Sequence, residues 1–288
     1  METQNKIRIA IQTKGRLNED SIKMLEEAGI YLVKGKRQLV SSAKNFPLEV
    51  LFLRDDDIPQ TVADGMADIG IVGLNEVMEK KEEVDIIQYL GFSKCRLSLA
   101  IPKSESYEDV SYFSGKKIAT SYPVILKDFL KEKNIDAEIH EISGSVEIAP
   151  GIGLADAIFD IVSSGSTLVS NRLKEVEVVT PSEAVLVATP GLSDEKKALL
   201  EEMLFRIESA ERAKGKKYIL LNAPEEKVEE ISNMLPGMKS PTVMPLAEEG
   251  WVSLHSVIDE NVFWEIIGKL KAAGAQGILS IPIEKMIM

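Results

Sequence analysis

The chain has 288 residues, enough for two or three domains with their own cores, and its 44% hydrophobic share is that of a globular protein. A net charge of −12 argues against a nucleic-acid partner, because phosphate backbones are gripped mainly through clustered Lys and Arg; a small phosphorylated ligand needs only local donors. One cysteine, Cys95, and two histidines, His140 and His255, exclude an intrachain disulfide and a cysteine-based metal cluster and disfavour a histidine-rich zinc site.

Apolar runs are broken by charge within about ten residues, short of the roughly 20 that a membrane-spanning helix needs. The N-terminus leads directly into a strand pattern, with no apolar leader core. The expectation is a cytoplasmic protein with no membrane partner.

Short apolar runs alternate with helical patterns through the first two thirds, which predicts an α/β architecture. Ile7 to Gln12 reads as a buried strand. A helix follows, with Asn18 as its N-cap and Gly29 past its end. Leu48 to Leu53 is a second strand, Asp57 and Pro59 open the next helix, and Ala67 to Val72 is a third strand ending at Gly73. The pattern restarts at Arg96. Arg96–Ile101, Lys117–Thr120, Ala137–His140, Ala155–Val162 and Glu175–Val179 read as strands, and Ser-Tyr-Pro at 121–123 opens a helix to about Lys133. Ala184 to Ala188 returns to the first lobe.

Two segments share one plan: "ADGMADIGIVG" at 63–73 and "GLADAIFDIVSSG" at 153–165 each run from a Gly through an acid and an apolar strand to a Gly-containing turn. Two lobes of like design joined by two crossings leave a cleft, the usual home of a ligand in α/β proteins. After a long amphipathic helix from Ser193 to about Lys214, the order becomes βαββαβ, the ferredoxin-like motif. Its last helix is capped by Asp259. Trp251, Trp264 and His255 read as packing residues, and Cys95 as an ordinary buried cysteine.

The chemistry concentrates at residues 141–168. An apolar strand bearing Asp160 runs into Ser163, Ser164, Gly165, Ser166 and Thr167, as in a turn that cradles phosphate. Glycine permits the turn, the following amides converge, a helix N-terminus adds positive potential, and the hydroxyls add donors. Glu141, Asp156 and Asp160 stand nearby. Alternation along the strand places Asp156, Ile158 and Asp160 on one side.

The segments "RIAIQTKGRL", "FLRDDDIP", "ADIGIVG", "CRLSLAIP", "GKKIATSYP", "SGSVEIAP", "GLADAIFDIVSSGSTL", "YILLNAP", "LPGMKSPTVMPL" and "GAQGILSIPIEKM" occur in that order. Together they resemble the long form of the ATP phosphoribosyltransferase family, which opens histidine biosynthesis. The spacing of Asp156 and Asp160, four apart, departs from the adjacent acids of Rossmann-like phosphoribosyltransferases.

The resemblance implies a catalytic core of the periplasmic-binding-protein type II kind and a ferredoxin-like regulatory domain. Residues 1–94 and 182–214 would form lobe I, 95–181 lobe II and 215–288 the regulatory domain. It implies transfer of a phosphoribosyl group from phosphoribosyl pyrophosphate to an adenine ring nitrogen of ATP, with magnesium as cofactor, histidine as inhibitor, and a homo-oligomer, a hexamer in equilibrium with a dimer.

Residue by residue, Glu141, Asp156, Asp160, Ser163, Ser164, Gly165, Ser166 and Thr167 are then expected at phosphoribosyl pyrophosphate. Lys14, Arg16, Arg54, Asp68, Gly73, Tyr122, Ser143 and Gly144 are expected at ATP, with Asp55 and Asp56 as solvated acids. Asn222, Met238, Thr242, Val257 and Gly277 match the histidine pocket. Magnesium would be held mainly by substrate, with Asp160 or Glu141 as its protein ligand. No residue stands out as a general base. The architecture also serves solute receptors, a reading the Ser-rich turn and the missing leader disfavour.

Overall fold

Three sheets organise the chain in the computed structural model, which describes residues 6–33, 39–235, 237 and 240–288. The first sheet takes β1 (Ile7–Gln12), β2 (Val40–Ser42), β3 (Leu48–Leu53), β4 (Ile69–Gly73) and β5 (Asp85–Tyr89), and later β11 (Ala184–Ala188). Its order is β2-β3-β1-β4-β11-β5. β1 lies parallel to β3 and β4, and β11 runs antiparallel to β4 and β5. Ile7, Ile9, Ala10 and Ile11 are fully buried, as expected for a central strand covered on both faces.

The second sheet contains β6 (Cys95–Pro102), β7 (Lys117–Thr120), β8 (Glu138–Glu141), β9 (Ala157–Val162) and β10 (Leu173–Ser182), in the order β10-β6-β9-β7-β8. Leu97, Leu99, Phe113, Ile118, Leu126 and Phe159 form its core. The chain passes between these sheets twice, from β5 to β6 and from β10 to β11. The two look-alike segments occupy comparable places. β4 is parallel to β1 and antiparallel to β11; β9 is parallel to β7 and antiparallel to β6.

Helices α1 (Arg16–Glu27), α2 (Ile58–Ala63), α3 (Leu74–Lys80), α4 (Pro123–Lys133) and α5 (Ser166–Ser170) flank these sheets. α1 begins two residues before the expected Asn18 cap. Gly15 turns the chain at φ 94° and its carbonyl accepts the Glu19 amide, while Asn18 Nδ2 reaches back to the Gln12 carbonyl at 2.6 Å. Asp57 precedes α2 but makes no capping bond. β2, β5 and α3 were not foreseen. Ile86 and Ile87 of edge strand β5 are exposed, so no buried face marks it.

α3 supplies the contact that ties the first sheet's helices to the second's. Glu79 Oε1 and Oε2 accept the amides of Val124 and Ile125, at 2.9 and 3.0 Å. Those are open donors of the first turn of α4, where Pro123 itself has none to offer. A carboxylate on one lobe thus caps a helix of the other. Lys81, just beyond α3, adds an exposed ion pair to Asp128 at 2.7 Å.

Helix α6 (Asp194–Ala213) leads out of the first compact unit, which comprises residues 1–26 and 30–200. The second unit, 27–29 and 201–288, holds β12 (Lys216–Pro224), α7 (Val228–Met234), β13 (Thr242–Pro245), β14 (Trp251–Asp259), α8 (Glu260–Ala272) and β15 (Gln276–Pro282). The antiparallel order β13-β14-β12-β15 is that of a ferredoxin-like βαββαβ unit. Ile219, Leu221, Ile231, Leu254 and Leu270 are its core. Trp264, expected to pack inside, is 71% exposed on α8. No helix among the described residues is long and apolar enough to cross a membrane.

Asp68 stands immediately before β4 and away from the strand ends that face the cleft. It is buried, accepting the Arg8 amide at 2.7 Å and an ion pair from Lys196 of α6 at 2.5 Å. Its placement beside the nucleotide is therefore withdrawn: the side chain pins α6 to the sheet. Asp68→Ala should lower stability by roughly 1–3 kcal/mol, because it leaves an amide and an ammonium without their acceptor. A urea midpoint reads that loss.

Candidate functional site

The C-terminal ends of β1, β3 and β4 and those of β8 and β9 open onto one cleft within the first unit. Two adjoining cavities line it. One, of about 260 Å³, takes Gln12, Gly15, Arg16, Asp55, Gly73, Asn75, Glu76, Ser93, Lys94, Cys95 and Ser163 among its walls. The other, of about 440 Å³, takes Arg54, Asp55, Asp56, Glu76, Glu79, Lys80, Ser121, Tyr122, Glu141, Ser143 and Gly144. Asp55 and Glu76 form part of both.

The sequence places these side chains by simple means. Strand β9 ends at Val162, and Gly165 then adopts φ 79°, which reverses the chain into α5. Ser164 and Ser166 bond to each other through their hydroxyls at 3.0 Å, and Arg16 Nη1 reaches Ser163 Oγ at 3.5 Å from the opposite lobe. α5 is only five residues long, so amides and hydroxyls of the turn outweigh any helix dipole. On the other side, Gly144 and Ser145 take left-handed conformations at φ 81° and 52°, and the Gly144 amide donates to Ser121 Oγ at 3.2 Å. Gly73 leaves room for Asn75: a Cβ there would stand 2.4 Å from Asn75 Oδ1 and push that side chain aside.

The structure sorts the expected residues differently from the resemblance. Arg54, Tyr122, Ser143 and Gly144 share a cavity as expected, but Glu141 joins them. Arg16 and Gly73, expected at the nucleotide, line the cavity that Ser163 enters. Lys14 is exposed on the turn after β1. Asp160 is half-buried. Its Oδ1 accepts the Ile161 amide at 2.7 Å.

Asp156 is not brought to the turn. It lies at the opposite end of β9, roughly 20 Å away at strand rise, accepting the Lys117 amide at 2.8 Å. Asp55 and Asp56 are not free solvated acids: Asp55 walls both cavities and Asp56 pairs with Arg54 at 3.1 Å. Cys95 is only half-buried and lines the cleft.

Three buried residues of α3, Asn75, Glu76 and the Glu79 already described, escaped the sequence reading. Asn75 takes the Ser182 hydroxyl on Oδ1 at 2.8 Å and donates from Nδ2 to Glu76 Oε1 at 2.9 Å. Tyr122 donates to the same Glu76 oxygen at 3.2 Å. Burial, with Asp55 adding repulsion, pushes the Glu76 carboxyl up to about 7. Burial also pushes Asp160 up to about 6, although the Ile161 amide pulls the other way. Burial and the Glu76 charge raise the Tyr122 hydroxyl far above its ordinary range. The only available signal was that Glu76 follows β4 at the strand end where ligands collect.

In the second unit, Gly277 at φ 57° brings its backbone beside Asn222, whose Nδ2 would be 3.5 Å from an added Cβ. Thr242 pairs with His255 and Val257 with Tyr218, which lies four residues before Asn222 on β12. Val257 is therefore roughly 13 Å along the sheet from Asn222. Met238 lies outside the described residues. His255 is held by Tyr218 Oη at 2.7 Å and Ser253 Oγ at 3.0 Å.

No group of three or more His, Cys, Asp or Glu among the described residues could by itself hold a metal ion. A magnesium ion suits such a site when substrate phosphates supply most of its oxygens, as is usual for that ion. Of the two carboxylates expected to hold it, Glu141 lines the larger cavity with Asp55, Asp56, Glu76 and Glu79, and Asp160 lines neither of the two cavities.

Fold and cleft together define a two-lobed α/β core of the periplasmic-binding-protein type II kind, with a Ser- and Gly-rich turn at its cleft and a ferredoxin-like unit after it. Residues 54–209 match the family described as ATP phosphoribosyltransferase, and residues 213–285 match the one described as HisG, C-terminal domain. An ATP phosphoribosyltransferase of Bacteroides thetaiotaomicron is 66% identical over 282 residues, 98% of this chain and 100% of that protein. One of Parabacteroides distasonis is 67% identical over the same shares. The solved ATP phosphoribosyl transferase (HisG:HisZ) complex from Thermotoga maritima is similar at a TM-score of 0.61 and 27% identity, over 70% of this chain and 96% of that one. The chain belongs to the ATP phosphoribosyltransferase family.

Raised carboxyl pKa values make the folded state prefer neutral Glu76 and Asp160. Their stabilisation is complete below the ordinary carboxylate range and is lost as pH rises through about 6 for Asp160 and about 7 for Glu76. Glu76→Gln keeps an acceptor for Tyr122 and Asn75 but cannot ionise. Its thermal midpoint should exceed the parent's at about pH 8 and approach it at about pH 5.

Proposed function

We propose that the cleft transfers the phosphoribosyl group of phosphoribosyl pyrophosphate to an adenine ring nitrogen of ATP, releasing pyrophosphate and forming phosphoribosyl-ATP, the first step of histidine biosynthesis. The observation that carries this reading is the turn at Ser163–Thr167 facing Arg16 across the cleft, with Arg16 and Ser163 3.5 Å apart. The turn supplies amides and hydroxyls to the sugar phosphate, each charge-assisted bond being worth roughly 1.5–3 kcal/mol. Arg16 and Lys14 stand where developing pyrophosphate charge needs cations. The adjoining cavity, with Arg54, Tyr122, Ser143 and Gly144, takes the nucleotide.

The ring nitrogen brings its own lone pair, so attack on the ribose carbon needs no prior deprotonation. As the new carbon–nitrogen bond forms, the bond to pyrophosphate breaks, with positive charge developing on the sugar ring. The protein's share is alignment and electrostatic support. Magnesium, when bound, neutralises the leaving pyrophosphate, with Asp160 or Glu141 as its protein ligand. Glu76, its carboxyl pushed up to about 7, carries only part of a charge near neutrality and so adds less repulsion to that of Asp55, Asp56, Glu79 and Glu141.

The second unit is read as a histidine sensor. Asn222 and Gly277, side by side on β12 and β15, offer an amide and space for an amino-acid head, with Thr242 two strands from Asn222 beyond β14. Exposed Met244, Leu279, Ile281 and Trp264 favour burial between copies, in support of a hexamer exchanging with a dimer. The cytoplasm is the compartment that these substrates imply.

Full-length protein mixed with ATP, phosphoribosyl pyrophosphate and magnesium should release pyrophosphate in step with a phosphoribosylated nucleotide. Folded protein giving neither retires the reading. Histidine should inhibit the reaction, and Asn222→Ala should relieve that inhibition while leaving the uninhibited rate in place. Light scattering with and without histidine reads the oligomer.

A further inference from the structure

We propose that Arg96 is a positioning residue for the phosphate-binding turn: its guanidinium sets the direction of the Ser164 amide and does not itself touch substrate. The proposal rests on the reading of Ser163–Thr167 as the turn that takes phosphoribosyl pyrophosphate.

Arg96 lies on β6 opposite Val162, the last residue of β9 before the turn. Its Nε and Nη2 donate to the two carboxylate oxygens of Glu175 on β10, each at 2.5 Å. Ser98, buried on the same strand, donates to that carboxylate at 2.6 Å and fixes it further. The remaining arm of the fork, Nη1, donates to the carbonyl of Ser163 at 3.2 Å. Two strands and the turn thus meet at one planar group.

The consequence follows from peptide geometry. In a trans peptide the carbonyl and the next amide lie in one plane and point in opposite directions. Holding the Ser163 oxygen towards Arg96 turns the Ser164 N–H to the other side of the chain. The carbonyl, which would repel a phosphate, is drawn away by the same bond. Arg96 is a poor direct ligand because its charge is already matched by Glu175. Lysine cannot replace it, since a single ammonium lacks the fork that reaches both partners.

The test uses full-length protein, phosphoribosyl pyrophosphate with magnesium, and the variants Arg96→Gln, Arg96→Lys and Glu175→Gln. Hydrogen exchange across residues 163–167 is followed with and without phosphoribosyl pyrophosphate, alongside the Michaelis constants for both substrates. In the parent protein the ligand should slow exchange of the turn amides. In Arg96→Gln and Glu175→Gln that protection should shrink. The KM for phosphoribosyl pyrophosphate should rise roughly tenfold, the loss of one charge-assisted bond's worth of alignment, with the KM for ATP unchanged. Arg96→Lys should fall with the defective variants.

Glu175→Gln keeps an acceptor for Ser98 and serves if Arg96→Gln does not fold. Tighter phosphoribosyl pyrophosphate binding in Glu175→Gln would make Arg96 a direct ligand and overturn the proposal. Parent-like KM and protection in the variants would overturn it too, leaving the turn's own role intact. No ligand protection of the turn in the parent protein removes the reading beneath it.

Discussion

Two crossings of the chain are not enough to hold two sheets at a fixed angle, and a cleft whose walls wander cannot align reacting atoms. The carboxylate of Glu79 meets that need. Seated on α3 of the first lobe, it takes the open amides of Val124 and Ile125 at the start of α4 in the second. A buried carboxylate can persist there because both oxygens have partners. The rest of the cleft builds outward from that joint. Glu76, one turn earlier on α3, receives Tyr122 from the residue before α4, and Asn75 links the same helix to Ser182 near the second crossing. Positions on both lobes are thus tied to one short helix.

That helix also gives the cleft its electrical character. Asp55, Glu76, Glu79 and Glu141 share a cavity with Arg54 and Lys80 in a protein of net charge −12. An anionic ligand is admitted on restricted terms: through backbone amides and hydroxyls on one side, a few cations on the other, and a carboxyl whose burial lets it shed its charge near neutrality. Selectivity follows from where the negative charge of a ligand falls, because only part of the surface tolerates it.

Most central strands could be read from the chain. Ala184–Ala188 is apolar throughout, Ile7–Gln12 and Leu48–Leu53 are mostly so, and the βαββαβ order of the last unit was equally plain. β2 and β5 were not, because an edge strand exposed on its flank carries no alternation to betray it. The turn at 163–167 was legible as a turn since a glycine among serines after an apolar strand is a local signal. Asp68 and Asp156 were misread for one reason. Each precedes its strand, and the rule that points to Lys14 and Arg54, that ligands gather at carboxyl ends, would have rejected both. Glu76, Glu79 and Arg96 act through partners from 45 to 79 residues away, a separation that single-sequence patterns do not reach.

The hydroxyls of Ser164 and Ser166 stand 3.0 Å apart, so one donates to the other and the second keeps its own proton to offer. A hydroxyl that is itself accepting a hydrogen bond is the stronger donor for it. An anion gains most from that proton, because its bond is charge-assisted, whereas a neutral guest only exchanges like for like with water.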